Sequence, residues 1–332
     1  MTLKHFEWKL PSRTLLLGER TLIMGVLNVT PDSFTDGGRY NDPDRAFARA
    51  IEMEEQGADV IDIGAESTRP GSARISEGEE LRRLVPVLKR LRGQLTIPIS
   101  VDTYKTAVAE KALEFGVEII NDPSALTFDP HLARAAGAGN AALILNHMRG
   151  TPETWAKLPP LKDVMGAIFA DLEACVHRAV RSGVDRARIM IDPGIGFGKR
   201  KEQNAEILAR LPELARLELP ILIGPSRKSF LAQQTEEETR YASAAAVAAA
   251  ILNGAHMVRV HDVREMKAAV QIADAVSRVM FREPAPAPEA PPPPPRPMPV
   301  RPREGPGGDR GFGRPPRGGD RGPLVPRRRF QP

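Results

Sequence analysis

The chain is poor in cysteine and lacks any long apolar run. Cys175 is the single cysteine among 332 residues. That excludes an intramolecular disulfide and any multi-cysteine metal site, and it fits a reducing compartment. The opening MTLKHFEWKL scatters its charges and has no apolar centre, so it does not read as a signal peptide. The longest hydrophobic stretch, Ala244–Leu252, is mostly alanine and too short to cross a bilayer. The patterns GxSxG, HExxH and CxxC are all absent, so nothing supports a covalent serine or cysteine mechanism. Proline is sparse except at the end: 17 of 32 fall in Pro284–Pro332, together with eight glycines and ten arginines. With four acids, that tail carries +6 of the net +5, which leaves the body at −1. The isoelectric point near 9.5 therefore describes the tail and does not argue that the folded part binds nucleic acid. The expectation is a soluble cytoplasmic protein with no membrane segment.

What is present repeats one unit. Short Ile/Val/Leu-rich runs end in polar or glycine residues, and an amphipathic helix follows each. The strand candidates are Thr21–Asn28, Asp59–Gly64, Ile97–Asp102, Val117–Asp122, Ala141–His147, Ala187–Asp192, Pro220–Gly224 and His256–Val260. The helix candidates are Pro43–Gln56, Glu77–Leu91, Lys105–Phe115, Pro130–Ala136, Leu161–Arg181, Glu202–Leu217, Glu237–Leu252 and Val263–Met280. Gly57, Gly93, Gly116, Gly183 and Gly254 suit helix ends. Eight such units predict an α/β fold, a (β/α)8 TIM barrel, rather than an open doubly wound sheet, since no unit carries a dinucleotide fingerprint. Residues 1–20 alternate and turn like a β-hairpin that caps the barrel's N-terminal face. Residues 21–283 form the barrel, and 284–332 read as a disordered Pro/Arg/Gly-rich tail.

In such a barrel the chemistry sits where strands end. Polar residues stand at all eight ends: Asn28, the ESTRPG run, Asp102, Asn121, His147, Asp192, the SRKS run, and Arg259 with His261. Strand alternation puts Ser100 with Asp102, Met190 with Asp192, and Arg259 with His261 on faces turned into the mouth. Asp102, Asn121 and Asp192 suit a heterocycle edge rich in N–H donors, such as an aminopyrimidinone. Arg69, Lys228, Arg259 and His261 read as a cationic rim for phosphate or carboxylate. Asn28 is placed to hold a hydrated Mg²⁺ that bridges phosphates. Plainer readings stand beside these. Asp102 precedes Thr103 and a helix, so a capping role fits too. His147 reads as a structural histidine, and Arg227 with Lys228 alone would be a solvated turn. His5, His131, His177 and His256 show no ligand pattern. The string Gly194–Lys199 resembles a phosphate loop but has Pro193 where the first glycine belongs, and Arg200 follows the lysine. It reads as a flexible glycine loop in which Phe197 can cover a flat ligand.

Eight stretches together resemble dihydropteroate synthases: Met24–Gly38, Asp62–Ser72, Ser100–Lys105, Ile120–Asp122, Asn146–Pro152, Asp192–Lys199, Gly224–Phe230 and Arg259–Val263. The resemblance covers residues 5–280. It implies condensation of 6-hydroxymethyl-7,8-dihydropterin diphosphate with p-aminobenzoate to give 7,8-dihydropteroate and pyrophosphate, a Mg²⁺-dependent folate-biosynthesis step and the target of sulfonamides. It implies a pterin pocket of Asp102, Asn121, Asp192 and Lys228, and a diphosphate and Mg²⁺ group of Asn28, Arg259 and His261. Thr68, Arg69 and Pro70 fall in one mobile loop, Phe34 and Asp36 in another, and Ser226 is similar to a p-aminobenzoate contact. The resemblance also implies a homodimer, for which the helices at Glu237–Leu252 and Val263–Met280 are the candidate contact. Departures from the family pattern are Pro123, Ala125, Asn146 and Pro225. A corrinoid-linked methyltransferase pterin domain shares the barrel but needs no diphosphate patch. An RNA-associated role would rest on the tail's arginines alone, through weak polyanion binding.

Overall fold

The computed structural model describes residues 4–30, 43–69 and 71–280. Phe34, Asp36, Pro70 and the tail segment 284–332 lie outside the described residues. Residues Met1–Pro284 form one compact unit.

Ten strands and eight α-helices are described. Strands β1 (Phe6–Lys9) and β2 (Thr14–Leu17) pair antiparallel as the expected hairpin. Then follow β3 (Leu22–Asn28), α1 (Pro43–Gln56), β4 (Val60–Gly64), α2 (Glu77–Leu91), β5 (Ile99–Asp102), α3 (Thr106–Glu114), β6 (Ile119–Asp122) and α4 (Leu132–Ala138). The second half comprises β7 (Ala142–Asn146), α5 (Val164–Arg181), β8 (Ile189–Asp192), α6 (Lys201–Ala209), β9 (Leu222–Ile223), α7 (Glu236–Leu252), β10 (Met257–Val260) and α8 (Val263–Met280). The eight parallel strands run β8-β7-β6-β5-β4-β3-β10-β9. The ends meet where Ile191 N donates to Pro220 O at 3.0 Å, beside a parallel bridge between Ile191 and Ile221. This is the expected (β/α)8 barrel.

Strand alternation sorts the core into two clusters. Ile61, Ile63, Val101, Ile120, Ile189, Ile191, Val258 and Val260 face the helices. Met24, Val60, Ile119, Ile144, Met190, Leu222 and Met257 fill the barrel interior together with Trp8, Leu10 and Leu17 of the hairpin. Trp8 and Leu17 are 1% exposed, and Trp8 Nε1 donates to Arg188 O at 3.0 Å, just before β8. The hairpin thus plugs the N-terminal end with apolar bulk.

Helix starts follow their caps: Ser76 accepts from Glu79 N, Asp163 from Gly166 N, and Thr235 makes a reciprocal box with Glu238. The five glycines expected at helix ends all have positive φ. Most boundaries shift by one or two residues, and three differ more. The Asp163 cap delays α5 to Val164. The single helix expected over Glu202–Leu217 breaks at Arg210, where Pro212 opens a separate 3₁₀ segment, Leu211–Leu217. Strand β9 is only two residues, because Pro220 has no N–H and Ile221 N turns instead to His256 Nδ1 at 3.2 Å. Among the described residues no helix is long and apolar enough to cross a membrane.

Candidate active site

The barrel's C-terminal end opens into a cavity of about 720 Å³. Asn28, Thr68, Arg69 and Asp102 line one side of it, and Ser226, Lys228, Arg259 and His261 the other. The ladder fixes these positions. Gly64 stands between Asn28 and Asp102 in register, Asp102 is paired with Asn121, and Asn146 with Asp192. Asn121 and Asp192 are buried, 5% and 6% exposed, and are not among the residues that line the open cavity.

A layer of charge lies below the opening. Arg259 donates Nε to Asp62 Oδ2 at 2.6 Å and Nη2 to Asp102 Oδ2 at 2.9 Å. Asn121 Nδ2 also donates to Asp62 Oδ2, at 3.0 Å. Burial pushes the Asp102 carboxyl up to about 7, against Arg259, which lowers it, while Asp62 adds to the rise. Burial likewise raises Asp192 to about 6, although Gly194 N donates to its Oδ1 at 2.7 Å. Lys228 is brought down to about 8 by burial and then by Arg259, so it is still mostly protonated at neutral pH.

Three expectations change here. The heterocycle pocket and the cationic rim are not separate patches, because Arg259 reaches inward and pairs with the pocket carboxylates. His261 is not a cation: burial first, then Arg259 and Arg227, lower it to about 3. Its neutral ring contacts Ser226 Oγ through Nδ1 at 3.1 Å, and His261 N donates to the same oxygen at 3.2 Å. Phe197 does not lie open to a flat ligand. The Lys228 ammonium is 4.0 Å above its ring, and Trp155 packs edge-on at 5.3 Å. Among the described residues, the large aromatic side chain on the cavity wall is Trp155.

The SRKS turn buries Ser226 while Arg227 and Ser229 stay exposed, and its backbone is not relaxed. Arg227 takes φ +56 and grips Asp262 with Nε at 2.9 Å and with Nη2. Its backbone N donates to Ser243 Oγ at 3.1 Å. Left-handed backbone at a non-glycine residue is costly, and these ties hold it so that Ser226 and Lys228 face the cavity.

The glycine loop after β8 is held by one buried lysine. Lys199 Nζ donates to His147 O, Pro193 O and Gly194 O at 2.7–2.8 Å. Burial holds its pKa well below the ordinary value. Lys199 is therefore a staple across two loops and no phosphate ligand. His147 is structural, as read, with Nε2 on Asp171 at 3.1 Å. Gly194 has φ +68, and a Cβ there would stand 1.9 Å from His147 O. Gly194→Ala is expected to cost at least about 3 kcal/mol, since strain adds to a backbone clash. Thermal unfolding checks it; a melting temperature within one degree of the parent would refute the packing described.

Sequence reasoning passed over Asp62, although alternation along VIDIG puts it on the inner face with Val60 and Gly64. It also passed over Arg49, which lines the cavity from α1 and donates Nη2 to His261 O at 3.0 Å. Ser229, the end of the SRKS run, and Trp155 line the cavity from three-residue 3₁₀ turns, too short to show a periodicity. Among the described residues no three acidic, histidine or cysteine side chains gather to hold a metal. A single amide oxygen, Asn28 Oδ1, beside an anion-binding mouth suits a hydrated Mg²⁺ that arrives with phosphates, and does not suit a protein-caged ion.

A parallel eight-stranded barrel with paired carboxylates, an amide and two buried cations in its mouth is a pterin-binding barrel, and the family described as "Pterin binding enzyme" matches residues 24–261. The dihydropteroate synthase of Synechocystis is 44% identical over 265 residues, which cover 79% of this chain and 92% of that protein. The Yersinia pestis dihydropteroate synthase, solved with a sulfonamide drug, superposes with a TM-score of 0.76 at 40% identity, covering 82% of this chain and 99% of that one. The Xanthomonas albilineans dihydropteroate synthase, solved with 4-aminobenzoic acid, gives 0.76 at 38%, covering 82% and 98%. The chain belongs to the dihydropteroate synthase family.

Proposed function

We propose that this chain condenses 6-hydroxymethyl-7,8-dihydropterin diphosphate with p-aminobenzoate, releasing pyrophosphate and 7,8-dihydropteroate in folate biosynthesis. The convergence of Asp102, Lys228 and Arg259 on the cavity, with Asp192 buried within electrostatic reach of both cations, carries this reading. The carboxylates accept from the N–H edge of the pterin, and Arg259 and Lys228 pair with diphosphate oxygens as the C–O bond breaks and its electron pair leaves with pyrophosphate. The cation left on the methylene spreads into the dihydropterin ring, which the ionised carboxylates favour electrostatically. The arylamine lone pair then forms the new C–N bond, and its proton passes to solvent. His261, neutral and fixed on Ser226, contributes hydrogen bonds. Asn28 would hold Mg²⁺, which when bound offsets diphosphate charge.

Thr68, Arg69 and Ser226 form the p-aminobenzoate side, where a guanidinium suits the carboxylate, and Pro70, Phe34 and Asp36 belong to the same assignment. Sulfonamides, which imitate that ring and anion, take the same side. We place the enzyme in the cytoplasm as a homodimer through α7 and α8, supported by Ile272, Val276 and Val279, which are apolar yet 44–76% exposed on α8. Sedimentation at micromolar concentration reads this out.

Purified protein given both substrates and Mg²⁺ should yield dihydropteroate by chromatography. A chain ended at Glu283 should keep its turnover, because every assigned residue precedes that point. Loss of activity on this truncation, with the fold intact, would bring the tail into the site. The tail reads first as a solubilising extension, with weak, salt-sensitive polyanion binding through its ten arginines as the second reading.

A further inference from the structure

A buried charged cluster stands beside the cavity and takes no part in the chemistry above. Lys105 Nζ donates to Glu66 Oε2 at 2.6 Å and to Glu80 Oε2. The three side chains are only 2–10% exposed. Burial alone would lower the Lys105 ammonium, but hydrogen bonds to Glu66 and Glu80 outweigh it and hold it above its ordinary value. Burial raises Glu80.

The cluster joins three elements. Glu66 opens the β4–α2 loop, Glu80 is in the first turn of α2, and Lys105 precedes α3. Glu66 also closes the loop on itself: its Oε2 accepts from Ile75 N at 3.1 Å, so the carboxylate ties the loop's entry to its exit. Tyr104 OH donates to Glu66 Oε1 at 2.9 Å, and Arg83 Nη1 donates to Ala65 O at 3.0 Å. Between those ends lie Thr68 and Arg69, on the cavity wall. Within the loop, Ser72 Oγ donates to Ser67 O and Arg69 O. Asp102, three residues before Lys105, is held differently, by sheet pairing with Gly64 and Asn121 on both sides. The loop has no such ladder: Glu66 and Arg83 hold its base, and Gly71 N donates to Pro152 O at 3.0 Å beside Arg69.

We infer that Lys105 is a positioning residue, which through Glu66 sets the place of Thr68 and Arg69 and so tunes capture of the p-aminobenzoate carboxylate without acting on the pterin. This rests on the assignment of that side of the site made above. Both charges are needed: without the ammonium, two buried carboxylates face each other, and Glu66 is driven toward solvent, carrying the loop with it.

Steady-state kinetics and calorimetry test this. Lys105→Met should raise KM for p-aminobenzoate about tenfold or more, while the Kd for 6-hydroxymethylpterin stays within about twofold. Adding Glu66→Gln to Lys105→Met should recover part of that loss, because the pair is coupled. Tyr104→Phe, a gentle change that spares the ions, should raise the same KM about two- to threefold and keeps the test open if Lys105→Met does not fold. Arg69→Ala serves as the reference. If it raises the KM and neither Lys105→Met nor Tyr104→Phe does, the positioning role is wrong. Equal losses of pterin and p-aminobenzoate affinity would also overturn it, as general damage. If Arg69→Ala leaves the KM unchanged, the assignment of that side falls, and this inference falls with it.

Discussion

Asp102→Ala and Asp192→Ala each weaken pterin binding by about 2–4 kcal/mol, roughly 30- to 1,000-fold, because each removes a charge-assisted acceptor from an enclosed site. The two side chains come from strand ends on opposite parts of the mouth, yet both are held above the usual carboxylate range by burial, near 7 and near 6. The ionised form is the better acceptor for N–H donors and the better partner for a developing cation. Pterin affinity of the parent protein should therefore rise as pH climbs from about 6 to about 8, and Asp102→Ala should lose most of that slope. Calorimetric titration over this range is the measurement. Parent-like affinity in both variants would remove the carboxylates from the pterin pocket.

Arg259→Ala has the larger expected effect on turnover, a loss of about a thousandfold or more. Two consequences combine. The diphosphate loses a fixed cation as its charge grows, and Asp62 and Asp102 lose the donor that spans them. Breaking a buried pair on one side costs about 3–5 kcal/mol, so the melting temperature should fall as well. Arg259→Lys separates the two effects: it keeps the charge, but one ammonium cannot reproduce the bonds that Nε and Nη2 make to different carboxylates. Most of the stability should return and little of the rate. A full recovery of kcat in Arg259→Lys would show that charge alone matters there.

The barrel was legible because its strands are short, covered on both faces and stopped by turn-forming residues. The inward direction of Asp102, Asp192 and Arg259 followed from period-two alternation, and that geometry is what the structure has. The limits are equally physical. The break at Pro212 and the two-residue β9 depend on where a missing N–H falls in the packed ladder. Arg259 folding onto Asp62 is a contact between β10 and β4, strands 197 residues apart in the chain. The neutrality of His261 comes from desolvation and neighbouring cations, which a string of letters does not display. Trp155 and Ser229 sit in single 3₁₀ turns and the Lys199 staple in a loop, all too short for spacing to carry direction.

The hairpin has a further consequence for traffic. With Trp8, Leu10 and Leu17 stoppering one end, reactants and products share the doorway at the other. With the roles proposed for Arg259 and Lys228, pyrophosphate would leave past the same cations that receive it as part of the substrate, and pteroate would pass the cavity wall bearing Thr68 and Arg69. In a vessel with a closed base, each departure through that doorway precedes the next arrival.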